Sequence, residues 1–273
     1  MKTTVAIVGG GPGGTTCAMH LARAGIDAVV IEQESMPRYQ IGESLTFMAG
    51  RQLRRLGLET IMERNRFPVK HNVVVYGPAS KNSFTVPVMD RSETGELVPA
   101  TTWQVRRSIF DHELLEAAKQ RGATHIHGKA RRPLLEAGKV RGVEVETPGG
   151  ESLRIEADHV VDASGKATFL HQAGVAGPQR RGAYDNQVAT FSQVKGAVRD
   201  PGDGRGNTLI FYREKHHWAW FIPIDDETVS LGVVTPASYF KARKEDKNAF
   251  LLRELRELAP ELQRRVAGLD LAE

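Results

Sequence analysis

Val5-Ala6-Ile7-Val8-Gly9-Gly10-Gly11-Pro12-Gly13-Gly14 decides the fold. The four apolar residues read as a buried strand. The glycines at 9, 11 and 14 fit G-x-G-x-x-G, and a helical pattern follows from Pro12 to Ala24 with Cys17, Leu21 and Ala22 expected inward. Ala28 to Ile31 reads as a second strand closing at Glu32, which completes a βαβ unit. Gly9 permits a tight turn, Gly11 lets the backbone approach a pyrophosphate, and Gly14 lets helix and strand pack closely; Pro12 and Gly13 begin the helix whose amides face the anion. Glu32 is expected to accept hydrogen bonds from ribose hydroxyls, and its charge disfavours a 2′-phosphate. The motif alone does not separate FAD from NAD.

The 273 residues, 40% of them apolar, suffice for one large domain or two small ones. Lys and Arg outnumber Asp and Glu by 37 to 33, and the surplus is spread along the chain, so no footprint for nucleic acid stands out. One cysteine, Cys17, excludes an internal disulfide and fits a reducing compartment, with the cytoplasm as the expected location. The apolar run ending at Gly9 is too brief for a signal peptide or a membrane span.

Further along, helices are expected at Ser44 to Leu56 and Ser108 to Arg121, and a strand at Thr124 to His127. Val140 to Val145, Ser152 to Ile155 and His159 to Val161 read as a meander, with Glu156-Ala157-Asp158 as one of its turns. After Gly177-Pro178 the pattern becomes four antiparallel strands: Gln187 to Val194, Thr208 to Arg213, His217 to Ile222 and Thr228 to Val234. Arg199 to Asn207, rich in glycine and charge, reads as a mobile hairpin tip, and Tyr239 to Val266 as a charged helical stretch interrupted by Pro260. The expected organisation is a flavin or dinucleotide domain of residues 1–66 and 100–178, an antiparallel substrate region of 67–99 and 179–238, and a helical segment of 239–273.

Four further stretches carry a resemblance. Pro37-Arg38-Tyr39-Gln40-Ile41-Gly42-Glu43-Ser44-Leu45 resembles the segment that runs past the flavin in flavin-dependent halogenases. Val105-Arg106-Arg107-Ser108-Ile109-Phe110-Asp111 is similar to their V-x-R-x-x-F-D helix entry, and Val161-Asp162-Ala163-Ser164-Gly165 to their D-A-S-G turn. Trp218-Ala219-Trp220-Phe221-Ile222-Pro223 matches W-x-W-x-I-P, the motif that separates halogenases from other FAD monooxygenases and from geranylgeranyl-reductase-like enzymes. Phe67 to Gly77 resembles their lysine segment, with Asn72 and Tyr76 standing where glycine and tryptophan are usual. The resemblance covers nearly the whole chain but only the N-terminal portion of a typical member; the later G-D-A-type flavin segment and the halide-holding glycine turn have no counterpart before Glu273.

The resemblance implies an α/β, p-hydroxybenzoate-hydroxylase-like fold: a Rossmann-like βαβ FAD-binding domain with an antiparallel substrate-side sheet. It implies bound FAD, reduced by a separate flavin reductase, with halide as co-substrate. Arg38, Ser44, Arg107 and Asp162 join the glycine loop as expected cofactor contacts, although Asp162 also reads as a cap of its own turn. Lys70 would guide hypohalous acid to an electron-rich phenol, pyrrole or indole, free or tethered to a carrier protein. Trp218 and Trp220, on one face of a strand, would keep that ring from the flavin. The bland readings are a solvated Lys70, a core-facing tryptophan pair, His216 and His217 solvated at an edge, and Cys17 as packing; no metal site is expected. The rival functions are an aromatic hydroxylase or reductase of the same fold, and a catalytically silent FAD-binding or interaction fragment.

Overall fold

Ala28–Glu32 is buried at every position, as a strand covered on both faces must be. In the computed structural model, which describes residues 1–178, 180, 182 and 186–269, it lies beside Lys2–Val8 in a six-stranded sheet. The order is Lys129–Glu136, Lys139–Glu146, Ser152–Asp162, Lys2–Val8, Ala28–Glu32, Thr124–His127; the last four strands run parallel and the first two add an antiparallel hairpin. This sheet belongs to one compact unit, Met1–Ile41 with Arg107–Arg180. Ala6, Val8, Val29, Ile31, Val143 and Ile155 form part of its core. Helices Pro12–Arg23 and Arg107–Gln120 pack together within the same unit.

Three expectations for this unit are corrected. Glu156-Ala157-Asp158 is no turn: one strand, Ser152–Asp162, runs through it, because Ile155 and Ala157 point into the core while Glu156 and Asp158 alternate outward. The strand Lys129–Glu136 was not foreseen, because Pro133 and its many charges disguise a sheet edge. The first helix buries Gly14, Thr15, Ala18 and Met19, while Cys17, Leu21 and Ala22 are half-buried, so small residues set the close-packed side.

The second unit is Gly42–Arg106 with Arg181–Glu273; residues 42–66, 100–106 and the C-terminal helices therefore pack here rather than with the nucleotide loop or by themselves. Residues 270–273 of the expected helical segment lie outside the described residues. Its sheet runs Gln187–Lys195, Thr228–Pro236, His217–Pro223, Thr208–Glu214, Asn72–Tyr76, Ser83–Pro87, antiparallel except where Thr208–Glu214 meets Asn72–Tyr76. Leu209, Phe211, Ala219, Phe221, Leu231 and Val233 face Leu251, Leu255, Leu258, Leu262 and Val266 across the core. The charged C-terminal stretch is thus three helices, Ala237–Arg243, Lys247–Glu257 and Pro260–Val266, the last two with an apolar stripe against the sheet; Pro260 opens the last one, where its missing N–H costs nothing.

His217 is buried rather than solvated. Its Nε2 lies 2.7 Å from Glu254 Oε2, and Tyr239 and Arg253 donate to Glu254 Oε1. Burial pushes the Glu254 carboxyl up, but these hydrogen bonds outweigh it and hold the group at about 2. Arg199 to Asn207 is not a free tip: Arg199 donates to the carbonyls of Asp225 and Thr228, Gly202–Gly206 is a 3₁₀ turn, and Asn207 is buried. The helix expected from Ser44 begins at Phe47, capped by Thr46, because Ser44 is drawn into a β-bridge with Gln104. Among the described residues no helix is long and apolar enough to cross a membrane.

Candidate functional site

In the first unit a cavity of about 1290 Å³ is lined by Gly9, Gly11, Gly13, Glu32, Arg38 and Arg107 among others. The loop is closed from behind and open in front. A Cβ on Gly14 would sit 1.9 Å from Gly9 O, and one on Gly9, whose φ is +110°, 2.4 Å from Ala163 O. A Cβ on Gly13 would meet nothing within 4 Å, and one on Gly11 only Arg38 Nη2 at 3.7 Å. Pro12 takes the first helical turn, so the amides at the start of the helix face the space beside Gly11 and Gly13. This cradle fits a dinucleotide pyrophosphate.

Glu32 is buried, and its two oxygens accept from the amides of Gly10 at 2.7 Å and Glu34 at 2.9 Å. A carboxylate has about four acceptor positions, so these bonds orient Glu32 and leave capacity for ribose hydroxyls. Asp111, 0% exposed, gathers two guanidiniums: Arg107 binds it through Nε at 2.7 Å and Nη2 at 2.8 Å, and Arg38 through Nη1 at 2.9 Å. Arg107 Nη1 also donates to Ile41 O. Two cations on one anion leave net positive charge beside the loop, as an anionic ligand requires. Asp111 was missed as a site residue; its signal was the Arg107–Asp111 spacing of four on a helix.

Asp162 accepts from Ser164 N and Oγ through one oxygen and from Leu170 N through the other. Asp162 thus caps its own turn, and it also lines the cavity beside the glycine loop. Ser44 is not among the residues lining the cavity; it lies in the second unit, 2.8 Å from both Lys70 Nζ and Thr208 Oγ1.

Lys70 ends a two-residue strand paired with Thr102–Trp103 and is only 5% exposed, so the solvated reading is wrong. Its amine donates to Leu45 O at 2.7 Å and to Ser44 Oγ at 2.8 Å, and it forms no ion pair among the described residues. Burial without a carboxylate lowers its pKa from 10.5 to about 8. Behind Ser44 stands Thr208, and behind Thr208 stands Gln104, whose Nε2 donates to Thr208 Oγ1 at 2.8 Å and to Gly206 O at 3.0 Å. Neither Gln104 nor Thr208 was foreseen, since they come from distant parts of the chain.

Trp218 and Trp220 share a face, with ring centroids 6.1 Å apart and planes tilted by 52°. Ala219 and Phe221 take the core side, so the indoles do not point into that core. Trp220, 8% exposed, donates from Nε1 to Ser230 Oγ at 3.1 Å and lies over Gly232, with Phe191 at 6.0 Å. No group of three or more His, Cys, Asp or Glu among the described residues could hold a metal.

Residues 2–268 match the family model described as FAD binding domain. The chain is 37% identical over 267 residues to the 1H-pyrrole-2-carbonyl-(peptidyl-carrier protein) brominase of Pseudoalteromonas luteoviolacea, covering 97% of this chain and 63% of that protein. It is 33% identical to the flavin-dependent halogenase armH4 of Armillaria mellea, covering 88% of this chain and 46% of that one. The solved structure of flavin-dependent brominase Bmp2 superposes with a TM-score of 0.87 at 37% identity, over 98% of this chain and 64% of that one. The chain thus spans between about half and two thirds of the relatives it matches. It belongs to the FAD binding domain family, and its homologues are flavin-dependent halogenases.

Proposed function

We propose that this chain carries the flavin-binding and substrate-side parts of a halogenase that uses reduced FAD, oxygen and halide on an electron-rich aromatic ring. A pyrrole tethered to a carrier protein is the first substrate to test, because two relatives are named for that group. The observation that carries the reading is Lys70, an amine nearly sealed from water with no carboxylate among the described residues to neutralise it. Reduced FAD, when bound, supplies the two electrons that activate oxygen and so allow halide to be oxidised to hypohalous acid. The uncharged Lys70 amine either hydrogen-bonds the hypohalous acid or takes its halogen, R-NH2 + HOX → R-NHX + H2O, and passes it to a ring carbon whose proton returns to nitrogen. Trp218 and Trp220 form a wall on the substrate side, and a separate reductase supplies the reduced flavin. The lone cysteine supports a reducing, cytoplasmic setting.

The chain is to be incubated with FAD, a flavin reductase, NADH, bromide and carrier-bound pyrrole-2-carbonyl or a phenol. Products bearing bromine's paired isotope pattern, lost in Lys70→Ala while NADH oxidation continues, support the reading. Oxygen added to the ring irrespective of halide supports a hydroxylase instead. Absence of FAD binding, read as no rise in Tm with FAD, supports a silent fragment.

A further inference from the structure

Four aromatic rings stand in a row on the face of the second unit's sheet that is turned away from its core: Phe191, Trp220, Trp218 and Tyr212. Neighbouring centroids are 6.0, 6.1 and 6.4 Å apart, the spacing of rings in or near contact. Strand register builds the row. Trp218 and Trp220 alternate with core-facing Ala219 and Phe221, and Tyr212 is paired with Trp218 across the hairpin. Gly232, paired with both Trp220 and Phe191, leaves the room in which the indole lies.

The row is graded in two respects. Exposure rises along it, from Trp220 at 8% through the half-buried Trp218 to Tyr212 at 40%. Ring chemistry changes in the same direction. The phenyl ring of Phe191 is far harder to oxidise than indole or phenol, so it closes one end to an electron hole. The buried N–H of Trp220 is held by the Ser230 hydroxyl, too weak a base to take its proton, so an oxidised Trp220 stays strongly oxidising. Tyr212 is exposed and its hydroxyl has no protein partner among the described residues, so it can give its phenol proton to water. At neutral pH loss of that proton makes the tyrosyl radical more stable than the tryptophan one.

We propose that Trp220, Trp218 and Tyr212 form a radical exit path, which carries the hole left by a one-electron oxidant along the sheet face to solvent. The oxidant gains one electron from Trp220; an electron then passes from Trp218 to Trp220 and another from Tyr212 to Trp218. Both indoles end as they began, and Tyr212–OH becomes Tyr212–O• with its proton released to water. A thiol in solution returns the hydrogen atom, Tyr212–O• + RSH → Tyr212–OH + RS•, and restores the path. The proposal rests on the halogenase reading only for the origin of such oxidants, which reduced flavin and oxygen generate as by-products. Hole transfer itself is measured without flavin or turnover, so failure of one is distinguishable from failure of the other.

The test is pulse radiolysis of the full chain carrying Trp103→Phe, in which Trp218 and Trp220 are the remaining tryptophans. The azide radical made in the pulse oxidises indole in preference to other side chains at neutral pH. Decay of the indolyl absorption should be matched by growth of the tyrosyl absorption, at a rate independent of protein concentration. Adding Tyr212→Phe should remove most of that growth. Adding Trp218→Phe instead, which leaves Trp220 alone to be oxidised, should slow it at least tenfold. Growth that survives Tyr212→Phe, a rate unchanged by Trp218→Phe, or a rate that scales with protein concentration would overturn the proposal. The wild type covers the case in which the variants do not fold. It is oxidised in the same way with a nitroso spin trap present and cut with trypsin, which cleaves after Arg213 and Lys215 and so separates Tyr212 from both indoles. Adduct on the Tyr212 peptide supports the path, and adduct confined to the tryptophan peptides overturns it.

Discussion

The six-membered ring of Trp220 rests on the backbone of Gly232, with which it is paired across two antiparallel strands: a Cβ on that glycine would come within 2.1 Å of Trp220 Cζ2. The indole is held between this bare backbone, Phe191 and the other indole, with its N–H on Ser230. Gly232→Ala must push the ring aside. Overpacking of this kind costs about 1–3 kcal/mol, so Tm should fall by several degrees and tryptophan fluorescence should shift to the red as Trp220 gains water.

The glycine loop separates folding from binding. Gly14→Ala drives a methyl into Gly9 O and should leave little folded protein, whereas Gly13→Ala meets only open space and gains helix propensity of about 0.5–1 kcal/mol. Gly13→Ala should therefore keep or raise the Tm of the FAD-free chain yet weaken FAD binding at least tenfold, as read by fluorescence titration. Unchanged affinity would remove that amide surface from the cofactor contacts.

Asp111 holds both guanidiniums that flank the cavity. Removing a buried anion between two cations costs about 3–5 kcal/mol. Asp111→Ala should lower Tm strongly, and a combined Arg38→Met, Asp111→Leu, Arg107→Met replacement should recover much of that loss while losing affinity for FAD. Circular dichroism melts with and without FAD check both halves.

Lys70 makes stability depend on alkaline pH. Its folded pKa of about 8 lies below the ordinary 10.5, so between these values the unfolded chain binds a proton that the folded chain does not, and stability rises with pH across that window. Below pH 8 both states hold the proton and the burial cost is fully present. Lys70→Met should stabilise the fold at pH 7 by on the order of 1–3 kcal/mol, with the advantage shrinking by pH 10.5. Urea denaturation at pH 7, 9 and 10.5 reads the trend, and a difference that does not vary with pH would contradict it.

Glu254 has the opposite sign. Hydrogen bonds from His217, Tyr239 and Arg253 hold its pKa at about 2, below the ordinary 4.5, so its contribution is present above 4.5 and lost as pH falls toward 2. Glu254→Gln should cost stability at pH 7 and flatten the acid limb of the unfolding curve.

The glycine loop, the first two strands, the helix at Arg107 and the four strands after residue 187 were legible in the sequence, because each is encoded by local period, glycine placement or turn residues. Errors fell where local signals mislead. Glu156 and Asp158 look like a turn because their charges face out from a long strand, and the C-terminal helices look solvated because long charged side chains crowd their outer faces and mask the apolar stripe. Ser44 reads as a helix start until Gln104, sixty residues later, claims it for a bridge.

The sequence by itself determined that a pyrophosphate-sized cradle forms at residues 9–14 and that Trp218 and Trp220 share a face, since both follow from spacing along one segment. Tertiary structure alone decided that Lys70 is nearly sealed from water and has no acidic partner among the described residues, that Asp111 clamps Arg38 and Arg107, and that Gln104 and Thr208 stand behind Ser44. Solvent exclusion and hydrogen-bond direction are properties of groups brought together from distant parts of the chain, and no local pattern encodes them.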